Sequence, residues 1–200
     1  MPVEFVLSAH DAGQFPRDRL PEVAFVGRSN VGKSSLLNAL LLRSGKHLRL
    51  EGGVSRKALA KTSQTPGRTR AVNFFRIARR MYFADLPGYG FAKASHDEQN
   101  RWKRLAESYL VERDALKLVV LIVDIRHGPT PLDRQMKDWL DASGQAFCVA
   151  AAKSDKLKRA ARSRAIRSIE ESFADPIPFS AVTGEGVQQL WRAIELALAA

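Results

Sequence analysis

"AFVGRSNVGKSSLLNAL", residues 24–40, decides the fold. A short apolar run enters a loop with two glycines, a lysine and two serines, and a helical pattern leaves it. Gly27, Arg28, Ser29, Asn30, Val31, Gly32, Lys33 and Ser34 satisfy G-x-x-x-x-G-K-[ST] between a strand and a helix. The glycines let the backbone curl until consecutive N–H groups point inward. Those donors and the positive helix end hold an anion. Lys33 adds a point charge at the outer phosphates of a nucleotide, and Ser34 offers a hydroxyl to Mg²⁺.

Outward from this loop, apolar runs alternate with amphipathic stretches. Strands are expected at 22–26, 72–77, 81–85, 118–124, 145–151 and 176–179, and helices at 33–43, 97–113, 130–143, 159–173 and 184–199. Only residues 78–80 separate the second and third strands, too few for a crossover, so that pair must be an antiparallel hairpin. The expectation is one three-layer α/β domain over residues 1–200. Its sheet should be mostly parallel and six-stranded, with one antiparallel edge strand. Residues 2–9 alternate weakly and could add at an edge. Residues 44–70 show no periodicity and read as a long, mobile, basic switch loop.

The 200-residue chain carries a net charge of +11. Its distribution says more than its size. Residues 43–80 hold eleven basic side chains and one acid, Glu51, while the rest of the chain is nearly balanced. That concentration favours a polyanion partner. Cys148, the only cysteine, excludes a disulfide framework and reads as a small core residue. No apolar run is long enough to span a bilayer, and no export signal is recognisable at residues 1–13. A cytoplasmic location without a membrane role is expected.

Four further stations complete a nucleotide switch. In "FADLPGYG", 83–90, Asp85 ends a strand where a carboxylate reaches Mg²⁺ through water. Leu86, Pro87 and Gly88 form a turn whose Gly88 N–H can meet a γ-phosphate. In "TSQTPGRTR", 62–70, Thr62, Thr65 and Thr69 could each complete the Mg²⁺ shell. Thr69, just before the hairpin, is preferred, with Gly67 and Arg68 beside it. In "VAAAKSDKL", 149–157, Asp155 can accept from guanine N1–H and the 2-amino group, donors that adenine lacks. The Lys153 stem can lie over the base, with Ser154 between them. Ser180 and the Ala181 N–H, in "FSAVTGEGV", could contact the base edge or support Asp155.

Together "GRSNVGKSSLLNAL", "TSQTPGRTRAVNFF", "DLPGYGFA", "DIRHGPTPLD" and "KSDKL" resemble the EngB/YsxC family of ribosome-biogenesis GTP-binding proteins, translation-factor-related P-loop GTPases. The likeness runs from about residue 5 to the C-terminus. It implies GTP and GDP binding with Mg²⁺ and a role in late assembly of the large ribosomal subunit. The precursor of that subunit and its rRNA are the expected partners, and a monomer is expected. Residue by residue, it implies phosphate contacts from Gly27 to Ser34, Mg²⁺ ligation by Ser34 and Thr69, and γ-phosphate sensing at Asp85–Gly88. It implies guanine reading at Lys153 and Asp155, supported by Ser180 and Ala181.

Related GTPases with "N-x-G-K-S" suggest that Asn30 helps bind K⁺ beside the β- and γ-phosphates, where a cation could replace an arginine finger. A turn-stabilising asparagine is the competing reading. Lys33, Thr69 and Asn30 are thus the residues expected to serve hydrolysis. Tyr89 stands where signalling GTPases place a water-orienting glutamine, so intrinsic turnover should be slow and raised by K⁺ or the ribosomal particle. One departure stands out. Ala152 replaces the threonine or asparagine that opens the guanine motif, so the side-chain bond tying that loop to the phosphate loop should be absent. A P-loop kinase or ATPase, and an RNA-binding scaffold with negligible turnover, are the rival classes.

Overall fold

The computed structural model describes residues 2–43, 49–50, 71–90 and 96–199. Within them the strands are β1 Pro2–Ala9, β2 Glu22–Gly27, β3 Arg49–Leu50, β4 Val72–Ile77, β5 Met81–Asp85, β6 Leu116–Asp124, β7 Phe147–Ala152 and β8 Ile177–Phe179. The helices are α1 Lys33–Arg43, α2 His96–Glu112, α3 Pro131–Ala142, α4 Arg159–Glu170 and α5 Val187–Ala199. One sheet takes the strands in the order β3-β1-β4-β5-β2-β6-β7-β8. Strands β5, β2, β6, β7 and β8 are parallel neighbours, and β4 runs antiparallel to β5. The expected plan is present and two strands wider: β1 pairs antiparallel with β4, and β3 parallel with β1. The antiparallel strand is therefore covered rather than left at the rim.

The hairpin between β4 and β5 closes with Ala78 and Arg79 both at positive φ and the Arg80 N–H bonded to the Ile77 carbonyl at 3.0 Å. Paired positive φ values match the right-handed strand twist. Arg79 and Arg80 are exposed at its tip.

Strand periodicity assigns the two layers that flank the sheet. Phe25, Phe83, Val120 and Ile122 pack with Leu36 and Leu40 of α1 and with Leu190, Trp191 and Ile194 of α5. The alternate positions Ala24, Val26, Val119 and Leu121 pack with Tyr109 of α2, Leu140 of α3 and Ile169 of α4. Trp191 donates its indole N–H to the Leu40 carbonyl at 3.0 Å, so α5 is pinned to the helix behind the phosphate loop. Cys148 packs against the first cluster, and burial pushes its thiol up to about 12. Among the described residues no helix is long and apolar enough to cross a membrane.

Helix α5 begins three residues later than the pattern suggests, because 184–186 are spent on a tight turn. Gly186 has φ 79°, and a Cβ there would lie 2.2 Å from the Pro178 carbonyl. At the amino end of β2, the buried Glu22 accepts from the Tyr109 hydroxyl at 2.7 Å and from Arg113 Nε at 3.1 Å. Arg113 in turn donates to the Pro16 carbonyl.

Candidate functional site

The parallel strands end together. Register pairs Phe25 with Asp85, Gly27 with Ile122, Asp124 with Ala152, and Ala152 with Phe179. Every expected site residue that is described therefore lies at the carboxyl edge of the sheet, where ligands of open α/β folds bind. Gly67, Arg68 and Thr69, with most of the basic window, lie outside the described residues.

The phosphate loop occupies 27–34 between β2 and α1. The Leu36 N–H closes the first helical turn onto the Gly32 carbonyl at 2.9 Å. The amides of Lys33 and Ser34 thus belong to the group that a helix leaves without an internal partner. Asn30 takes φ 62°, a left-handed conformation that asparagine tolerates better than most residues. The Lys33 ammonium pairs with Asp85, so the phosphate lysine and the strand-end carboxylate share one place.

Residues 86–90 are stitched to this loop. The Ser29 N–H donates to the Tyr89 carbonyl at 3.0 Å, and the Tyr89 N–H to the Gly27 carbonyl at 3.2 Å. Gly88 permits the approach: a Cβ there would stand 3.0 Å from the Ser29 nitrogen. Tyr89 is buried, and its hydroxyl donates to Asp133 Oδ1 at 2.8 Å. Burial first, and the neighbouring Asp133 charge second, hold that hydroxyl far above its ordinary pKa, so it stays a neutral donor. Asp133 Oδ2 also accepts from the Thr130 N–H at 2.9 Å and hydroxyl at 2.7 Å, and it faces Arg28 Nε at 3.6 Å.

The loops after β7 and β8, where base reading is expected, are equally fixed. Ser180, fully buried, donates to Asp155 Oδ1 at 2.7 Å and accepts from the Val182 and Thr183 N–H groups at 3.2 and 3.1 Å. With both amides on its oxygen, the hydroxyl has its proton aimed at Asp155. That hydrogen bond, working against burial, holds the Asp155 carboxyl below its ordinary value. Ser154 is buried and donates to Glu185 at 2.6 Å, and Glu185 is gripped by Arg162 of α4 at 2.8 and 2.9 Å. Ala181 follows Ser180 at the end of β8.

The Ala152 side chain offers no hydrogen bond, yet the two loops are tied. Lys153 Nζ donates to the Asn30 carbonyl at 2.9 Å. Sequence reasoning missed this route. It also gave no role to Asp124, Arg126, Asp133, Arg162 or Glu185. The Thr130-x-x-Asp133 spacing is a capping signal that could have flagged Asp133. Nothing local marks Asp124 beyond an acid closing an apolar run.

A glycine-rich loop opening α1, a turn after β5 stitched to it and an oriented carboxylate after β7 have the arrangement of a P-loop nucleotide-binding domain. A family model described as 50S ribosome-binding GTPase matches residues 22–153. The chain is 45% identical over 197 residues to the probable GTP-binding protein EngB of Solibacter usitatus, covering 98% of this chain and 96% of that one. A crystal structure of a probable GTP-binding protein EngB superposes with TM-score 0.67 at 25% identity, covering 89% of this chain and 98% of the other. Era in complex with MgGDPNP and nucleotides 1506–1542 of 16S ribosomal RNA superposes with TM-score 0.60 at 25% identity, over 87% of this chain and 55% of Era. The chain belongs to the EngB family of GTP-binding proteins, within the ribosome-associated P-loop GTPases.

Proposed function

We propose that the protein is a Mg²⁺-dependent, GTP-hydrolysing switch that assists late assembly of the large ribosomal subunit and meets ribosomal RNA through its basic surface. The observation that carries this reading is the stitch between the phosphate loop and residues 86–90. Ser29 donates to the Tyr89 carbonyl and Tyr89 to the Gly27 carbonyl beside Gly88, so a group entering the loop acts on the sensing turn directly. The matched 50S ribosome-binding description and the RNA-bound state of Era support the partner class. The +10 window at 43–80 supplies the charge that phosphates require.

Guanine is read by Asp155, kept ionised and aimed by Ser180, with Lys153 alongside. The phosphates lie on the amides of 27–34 and on Lys33. Ser34 and Asp85 offer the hard oxygen donors that suit Mg²⁺, few enough to leave the remaining positions to phosphate and water. Thr69 is proposed as a further ligand. Held by these residues, Mg²⁺ would supply positive charge against that developing on the phosphates. Lys33 moves from Asp85 to the outer phosphates, and hydrolysis yields GDP and inorganic phosphate. The Tyr89 hydroxyl is committed to Asp133 and does not orient the attacking water, so intrinsic turnover is slow. K⁺ at Asn30, or the ribosomal particle, raises it.

Two measurements test this reading. Asp155→Asn transfers preference from guanine to xanthine nucleotides; a variant that kept its guanine preference would remove the base-reading assignment. Large-subunit particles bind more tightly with a non-hydrolysable GTP analogue than with GDP. Equal binding rejects the switch, and equal single-turnover rates in K⁺ and Na⁺ reject the potassium role.

A further inference from the structure

Asp124 is a buried carboxylate at the carboxyl end of β6, in register with Ala152 of β7. It collects four donors. Oδ2 accepts from Lys153 Nζ at 2.9 Å and from Arg126 Nη2 at 2.7 Å. Oδ1 accepts from Arg126 Nε and from the Arg126 backbone N–H, each at 3.0 Å. Lys153 reaches it from a left-handed backbone, φ 67°, unusual for a lysine and costing roughly 1–2 kcal/mol. The same Nζ bonds the Asn30 carbonyl, and the Lys153 stem lies against the phosphate loop, with Cε 3.6 Å from where a Cβ on Gly32 would stand.

We propose that Asp124 is a positioning residue of the nucleotide site. It holds Lys153 between the base loop and the phosphate loop and so supplies, from the neighbouring strand, the fixity that the Ala152 side chain cannot give. The inference rests on the guanine-nucleotide reading of the site. A lysine bonded only to a backbone carbonyl keeps rotational freedom; bonded also to a filled, immobile carboxylate, it has one place to be. The next residue but one is Asp155, so the position of Lys153 also sets that of the base reader. Burial opposes the Asp124 charge, but hydrogen bonds from Arg126 and Lys153 outweigh it and keep the group ionised well below the usual carboxylate range. Without the carboxylate, two cations face each other and the strained Lys153 backbone loses its anchor.

The experiment is a compensation test on the full chain with fluorescent GDP and a non-hydrolysable GTP analogue. Asp124→Asn weakens both ligands about 10- to 100-fold, mostly through faster dissociation. Adding Ala152→Asn, which restores a side-chain tie from the base loop, recovers most of the loss, while alone it changes affinity by less than about threefold. A merely structural role for Asp124 is not repaired from position 152, so a double variant no tighter than Asp124→Asn overturns the proposal. Unchanged affinity in Asp124→Asn overturns it too. Should Asp124→Asn not fold, Arg126→Ala keeps the carboxylate and removes its clamp. A loss of about 3- to 10-fold, repaired by Ala152→Asn, supports the proposal, and no loss overturns it. A wild-type chain that fails to bind GDP at all contradicts the guanine reading itself, an outcome separate from these.

Discussion

Glu22 and Asp124 are both buried carboxylates gripped by an arginine, at opposite ends of the sheet. Their surroundings differ. Glu22 meets a fully buried tyrosine and an arginine that also serves a backbone carbonyl, and that network closes on itself. Asp124 meets Lys153, whose backbone is left-handed and whose ammonium also reaches the phosphate loop. Arg126 beside it is 38% exposed. One network joins β2 to Tyr109, Arg113 and the Pro16 carbonyl; the other joins β6 and the loop after β7 to the loop before α1, where the proposed nucleotide would lie. A buried ion pair is weak evidence for stability in itself, so what its partners touch decides its use.

The comparison can be broken by substitutions, of which Glu22→Ala should cost most. Leaving Arg113 and Tyr109 without their acceptor destabilises the fold by about 3–5 kcal/mol. Urea unfolding measures this, and GDP affinity of the folded fraction stays at the wild-type level. A large affinity loss would erase the contrast. Gly186→Ala follows, at more than about 2 kcal/mol, because a Cβ at positive φ meets the Pro178 carbonyl. Since Glu185 and Ser154 move with that turn, this variant should weaken GDP binding as well as lower the melting temperature.

Tyr89→Phe sharpens the picture at an intermediate site. It leaves Asp133 Oδ1 without the phenol donor while Thr130 still serves Oδ2, a cost of about 1–2 kcal/mol in urea unfolding. Ser180→Ala has the smallest expected effect, and it is a matter of pH. The hydroxyl lowers the Asp155 pKa, so the ionised form that accepts from guanine persists to lower pH than it otherwise would. Removing the donor raises that pKa, and GDP affinity is then lost at a higher pH as the solution is acidified. Titrating affinity from neutral pH downward in both proteins checks the sign; coincident acid limbs contradict it.

Much of this plan was legible in the sequence because its signals are local. The bounds of β4, β5 and α1 match their patterns residue for residue, since apolar alternation and the G-x-x-x-x-G-K-S loop leave few alternatives. The pairing of β1 was only a possibility, because its alternation is weak and its partner lies some seventy residues on in β4. The start of α5 was misjudged because Gly184 reads as helix entry, while the space around Gly186 against β8 demands a turn. Within the candidate site, the sequence offered the residues at fixed motif spacing but not the side chains that support them. Asp124 gains meaning only from Lys153, and Glu185 only from Ser154 and Arg162, contacts that the fold creates between distant positions.

Trp191 has an optical consequence. Its ring lies 5.5 Å from that of Phe83 on the strand ending in Asp85, and its indole N–H is held by the carbonyl of Leu40 on the phosphate-loop helix. An indole so enclosed emits toward the blue end of its range. Displacement of that strand against that helix would shift its wavelength and lifetime, so with Trp102 and Trp139 replaced by phenylalanine the chain would carry an unlabelled fluorescent gauge of movement behind that loop.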